Sequence, residues 1–117
     1  MQRITETPNA VMTTYASPTQ GSQELSVWRV DMKQGAQGPW HSMDSEQVWT
    51  GLAGAATVQL GDEQVELRAG SAVVLPAGVE RRISATEQFT AIVAGYGHAK
   101  ASVRGEDADR GTPAWIS

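Results

Sequence analysis

The side chains able to do chemistry in this sequence are few, and their spacing says more than their number. There is no cysteine, which excludes a disulfide, a thiolate metal site and a cysteine nucleophile, and there are only two histidines, His41 and His98. His41 lies in Gly38-Pro39-Trp40-His41-Ser42-Met43, between a glycine-proline turn and the polar loop Asp44-Ser45-Glu46. Side chains two apart on a strand share a face, so His41 and Met43 project together, and Gln47 and Trp49 do the same on the next strand. Arg81 lies in a further strand, residues 80–84, with Ile83 on its face; a guanidinium stays charged and only donates hydrogen bonds. An imidazole, an amide and a guanidinium can polarise a carbonyl and move a proton without redox chemistry. His98 stands in a polar segment and reads as a surface residue.

The elements that must position these groups are strands. Val11–Tyr15 is rich in β-formers and meets the turn cluster Ser17-Pro18-Thr19-Gln20-Gly21. In Leu25–Met32 the apolar positions are Leu25 and Val27, then Trp28, Val30 and Met32, so the period of two changes face between Val27 and Trp28 and predicts a bulge or a change of sheet there. Ala56, Val58 and Leu60 alternate up to Gly61-Asp62, and Val65 and Leu67 alternate after it, which predicts a hairpin. Ala72–Leu75 is apolar on both faces and reads as a covered strand. Residues 80–84 and the apolar run Phe89–Tyr96 complete eight to ten short strands without a helical pattern, so the expected class is all-β, a sandwich or barrel.

The chain of 117 residues can bury one core and is too short for two, so one domain is expected over residues 1–117, with a core at about 11–96, an N-terminal arm at 1–9 and a tail at 97–117. The arm reads as a mobile segment or an edge strand lent to a neighbour. The tail passes through the acidic segment Glu106–Asp109, read as solvated, and ends in Trp115-Ile116, which should dock on its own sheet or a partner's. Hydrophobic residues at 40% against charged residues at 19% mark a globular chain, and a net charge of −4 argues against nucleic acid and against an anionic membrane. No early apolar run is long enough for a signal peptide and no stretch approaches a membrane span, so a cytoplasmic protein is expected.

Two stretches carry a family resemblance. Gly35, His41, Met43, Gln47 and Gly54 fall in register on the first conserved motif of the cupins, and Gly70, Pro76, Gly78, Arg81 and Ala85 on the second. The chain thus resembles a small cupin, which implies a double-stranded β-helix, the jelly-roll or cupin barrel, with a pocket inside one end. In metal-binding cupins, two histidines and a glutamate of the first motif and a histidine of the second hold a divalent ion. Here His41 is the one standard ligand in place. Met43 offers a soft thioether, Gln47 a neutral carbonyl oxygen, and Arg81 puts a cation where the fourth ligand belongs. No cofactor is therefore expected; the alternative is one weakly held divalent ion on His41 and Gln47.

On this footing His41, Gln47 and Arg81 are the candidate catalytic residues, and Met43, Trp49, Trp28 and Ile83 the candidate ligand contacts, all inside one cavity. Arg81 has two readings: a staple paired with Glu46, Asp44 or Glu80, or a receiver for a carboxylate, enolate or phenolate beside His41. Trp40 and Trp115 are read as barrel or dimer packing. The leading function is a metal-independent enzyme doing acid–base chemistry (isomerisation, cyclisation, dehydration or lyase type) on a small organic molecule with an acidic or carbonyl group. The alternatives are a non-catalytic small-molecule-binding barrel and a metal-dependent dioxygenase or sugar isomerase. A homodimer is expected, since small cupins usually pair and the terminal edge strands, with Trp115-Ile116, need cover.

Overall fold

A computed structural model describes residues 2–117, so Met1, the first residue of the expected arm, lies outside the described residues. The strands are β1 (Arg3–Glu6), β2 (Val11–Ala16), β3 (Leu25–Met32), β4 (His41–Met43), β5 (Gln47–Ala53), β6 (Ala55–Leu60), β7 (Glu63–Arg68), β8 (Ala72–Leu75), β9 (Arg81–Ala85), β10 (Phe89–Tyr96) and β11 (Ala101–Val103). They form two antiparallel sheets, in the orders β1-β2-β3-β10-β5-β8 and β11-β4-β9-β6-β7. Among the described residues the one helical element is a short 3-10 turn, Pro18–Gln20, and no helix is long and apolar enough to cross a membrane. This is the all-β jelly roll that the glycine and proline spacing predicts.

Alternation builds the core. Trp28, Val30 and Met32 on β3, Val58 on β6, Leu67 on β7, Ile83 on β9 and Phe89, Ala91 and Val93 on β10 turn inward and are buried together. The β6–β7 hairpin forms as predicted, closed at Gly61-Asp62. Gly54 sits where only glycine serves: its φ is +71°, and a Cβ there would run into the Gln88 carbonyl.

Three expectations need correction. The inward side of β3 carries Ser26, Trp28, Val30 and Met32 without interruption, so Leu25 and Val27 face outward and β3 has no change of face. The irregularity lies across from it: Thr14 pairs with Trp28 and Ala16 with Val27, leaving Tyr15 as the extra residue of β2. β8 is not a covered strand; it is the edge of its sheet, with Val74 51% exposed. The arm pairs with its own chain, β1 lying antiparallel to β2.

The tail docks on its own sheet. Thr14 Oγ1 donates to the Trp115 carbonyl at 2.7 Å, Thr19 Oγ1 to the Ser117 carbonyl at 2.7 Å, and buried Ser26 Oγ to the Ile116 carbonyl. Ile116 is buried and Trp115 packs against the core.

Candidate functional site

A cavity of about 630 Å³ opens between the sheets. Its walls are Trp28, Val30 and Met32 of β3, His41 and Met43 of β4, Gln47 and Trp49 of β5 and Ile83 of β9. The period of two therefore brings together six of the seven candidate residues: His41, Met43, Gln47, Trp49, Trp28 and Ile83. Thr7–Ala10 and Arg110–Ile116 also line it, so both terminal segments are part of the wall, with Trp115 among them. These segments carry no periodic signal. Val30 and Met32 do, once β3 is assigned its inward face, and Met12 of β2 follows as the cross-strand partner of Val30.

Gly95 makes room for the polar part of the wall. It pairs with Gln47 in register, and a Cβ there would stand 3.1 Å from Gln47 Cγ and 3.7 Å from the Trp28 ring. Gln47 Oε1 accepts a hydrogen bond from Trp49 Nε1 at 3.4 Å, which couples the two side chains.

His41 Nδ1 lies 3.0 Å from the Pro39 carbonyl. A carbonyl only accepts, so Nδ1 carries the proton and Nε2 of the neutral ring keeps its lone pair. Burial holds the His41 pKa below its ordinary value; the Pro39 carbonyl opposes this and the charge of Arg81 adds to it. The ring is therefore a neutral base at physiological pH. The same shift predicts a pH dependence of stability. Below 6.5 the unfolded chain takes up the proton before the folded one does, so stability falls as pH drops from 6.5 through the lowered folded value. His41→Asn should flatten the melting temperature across this window. Asp31, Glu80 and Glu106 also have lowered pKa values, but their loss begins only at 4.5 and below. A wild-type curve no steeper than that of the variant between 6.5 and 4.5 would contradict the burial of this ring.

Arg81 departs from the expectation. It is fully buried, cross-strand from His41, but does not line the cavity. Nor does it pair with Asp44, Glu46 or Glu80: Glu80 is bound by Arg104 at 3.1 Å, which also stacks on Trp40 at 4.3 Å. Instead Arg81 Nε donates to the Val79 carbonyl at 2.9 Å and an Nη to the Pro76 carbonyl at 2.6 Å, while its other Nη is buried without a partner. The loop carbonyls following the Pro76 turn are nearer than any carboxylate, and they fix the side chain away from the pocket. Burial pushes its pKa down to about 10, which leaves it charged at neutral pH.

This donor set does not fit the divalent ion of metal-binding cupins. The four positions supply one imidazole, a thioether, an amide oxygen already engaged by Trp49, and a buried cation. Among the described residues, no three His, Cys, Asp or Glu side chains come together to hold a metal ion.

Two facing antiparallel sheets closing over one largely apolar cavity define a small jelly-roll barrel. The sequence matches the family model described as Cupin domain over residues 28–95, and the chain belongs to that family. A conserved protein of unknown function from Streptococcus pyogenes superposes with a TM-score of 0.67 at 22% identity, over 78% of this chain and 76% of the other. Salicylate 1,2-dioxygenase from Pseudoaminobacter salicylatoxidans, in adducts with gentisate, superposes with a TM-score of 0.75 at 19% identity, over 89% of this chain and 31% of its own. This chain thus spans about a third of the dioxygenase's length, and at these identities the likeness is one of fold. No curated protein sequence matches it significantly.

Proposed function

We propose that this cupin takes a small, largely apolar organic molecule with a carbonyl or acidic group into its cavity and acts on it without a metal ion, by non-redox acid–base chemistry of the isomerisation, cyclisation, dehydration or lyase type. The observation that carries this reading is His41: it is the one cavity-lining group that titrates near neutral pH, and it is held neutral with Nε2 as its basic nitrogen. Trp28 and Trp49 offer flat apolar surface to a ring, and the Gln47 amide can hydrogen-bond a carbonyl oxygen beside it. A second reading, a non-catalytic binding barrel, is favoured by the orientation of Arg81, whose guanidinium is spent on the Val79 and Pro76 carbonyls and is not presented to the cavity beside His41.

A thermal-shift screen of small aromatic and aliphatic carbonyl compounds and carboxylic acids tests both readings. A true ligand should raise the melting temperature, and His41→Gln should weaken its binding about tenfold, the worth of one hydrogen bond at a buried site. Turnover by the wild type that His41→Gln abolishes supports the enzyme; binding without turnover supports the barrel. A ligand held equally by both proteins would remove His41 from the site. One equivalent of tightly held nickel, iron, zinc or manganese on His41 and Gln47, in protein purified without chelator, would overturn the metal-independent part.

A further inference from the structure

The cavity wall holds a single permanent charge. Among the described residues that line it, Arg110 alone is an Arg, Lys, Asp or Glu. Main-chain bonds fix where that residue stands. Arg110 N donates to the Ala101 carbonyl at 2.7 Å and Ala101 N to the Gly111 carbonyl at 3.0 Å, so the tail runs beside β11. β11 in turn pairs with β4, Ala101 with Met43 and Val103 with His41. The backbone of Arg110 therefore lies two strand spacings, about 10 Å, from the strand that carries His41. The guanidinium itself is lightly held. Its side chain is 60% exposed, and Nε and one Nη donate to Glu106, four residues back and also exposed, which leaves the other Nη free. An exposed pair at this spacing adds little stability, so a second carboxylate can share or displace it. Asp107 and Asp109 stand on the same loop, but neither they nor Glu106 lines the cavity, and Asp109 accepts a hydrogen bond from Gly111 N at 2.8 Å.

We propose that Arg110 receives the acid group of the cavity's ligand, and that this ligand is an elongated monoanion with a carboxylate at one end, an apolar middle and a carbonyl at the other. This rests on the function proposed above for His41 and adds to it which end of the molecule lies where. The carbonyl end sits by His41 and Gln47, the apolar middle lies against Trp28, Trp49 and Met43, and the carboxylate reaches the tail about 10 Å away. Arg81 cannot take the acid, because its guanidinium is turned to the Val79 and Pro76 carbonyls. A guanidinium with a free fork edge suits a carboxylate, and its place on the cavity wall makes the acid group the part of the ligand nearest to water.

Isothermal titration with a series of 4-acetylphenyl alkanoic acids, carrying none to four methylenes between ring and carboxylate and each paired with its carboxamide, tests this. The best acid should bind about fivefold more tightly than its amide at low ionic strength, and the preference should shrink in about 1 M sodium chloride. Arg110→Gln should bring that acid down to the level of its amide, Arg110→Lys should keep most of the difference, and Glu106→Gln, which removes the competing carboxylate, should widen it about twofold. Both side chains are exposed, so these variants leave the core intact. His41→Gln reads the proposed function separately, since it should weaken acid and amide alike. If no acid of the series binds more tightly than its amide, or if Arg110→Gln leaves the preference in place, the inference is overturned, whereas amides that lose affinity in His41→Gln still uphold the function proposed for His41.

Discussion

Arg81→Ala should lower folding stability by about 3 kcal/mol while leaving the affinity for a cavity ligand within about twofold. The side chain is fully buried, and its truncation leaves a void between β9 and the loop after Pro76, with two carbonyls deprived of their donor. Pro76 is exposed and Val79 half-buried, so water can satisfy part of that loss, and the packing term dominates. Arg81→Met should recover most of the stability, to within about 1 kcal/mol of wild type, because it restores the stem without a charge that carries an unpartnered Nη. In both variants the His41 pKa should rise, since a positive neighbour is removed, and a proton NMR titration of the ring reads it directly. A well-folded Arg81→Ala protein that has lost its ligand would place the guanidinium in the site after all.

Gly54→Ala should cost more than about 4 kcal/mol and prevent accumulation of folded protein. Two effects combine there: the backbone φ of +71° strains any L side chain, and the added methyl falls on the Gln88 carbonyl, 2.8 Å from its carbon, where β5 turns into β6 beneath the start of β10. Gly70→Ala separates the two. Gly70 also has a positive φ, +84°, but open space around its Cβ, so it should lose only the conformational cost of about 1 to 2 kcal/mol. Equilibrium urea denaturation of both variants measures the difference. Equal losses would mean that the Gln88 backbone yields to the methyl.

What could be read from the sequence follows from which physical signals are local. Turn glycines and prolines announce themselves, so the Gly61-Asp62 hairpin and the strand order around Pro76-Ala77-Gly78 were legible. Six cavity residues were legible because alternation on a strand needs no tertiary information. Alternation failed at Leu25 and Val27 because their outward face is apolar while the inward residue between them is the polar Ser26, satisfied by the Ile116 carbonyl, so the pattern there is inverted. Arg81 was legible as buried but not as oriented, because its partners are main-chain carbonyls, which every residue possesses. The C-terminal segment of the cavity wall was invisible for a related reason: its end is fixed by hydroxyls of Thr14, Thr19 and Ser26, far away in the sequence.

Those hydroxyl contacts also order events in time. The bond from Thr14 to the Trp115 carbonyl spans 101 residues, that from Thr19 to Ser117 spans 98, and that from Ser26 to Ile116 spans 90. On a ribosome, which releases residues from the N-terminus onward, β2 and the start of β3 wait for 90 or more further residues before the segment that seals them emerges. The sheets can pair earlier, through β6, β7 and β9, but the cavity has no complete wall until Arg110–Ile116 arrives. The cavity therefore closes later than the sheets that frame it, and a nascent chain stalled short of Arg110 would hold a barrel with an open, apolar side.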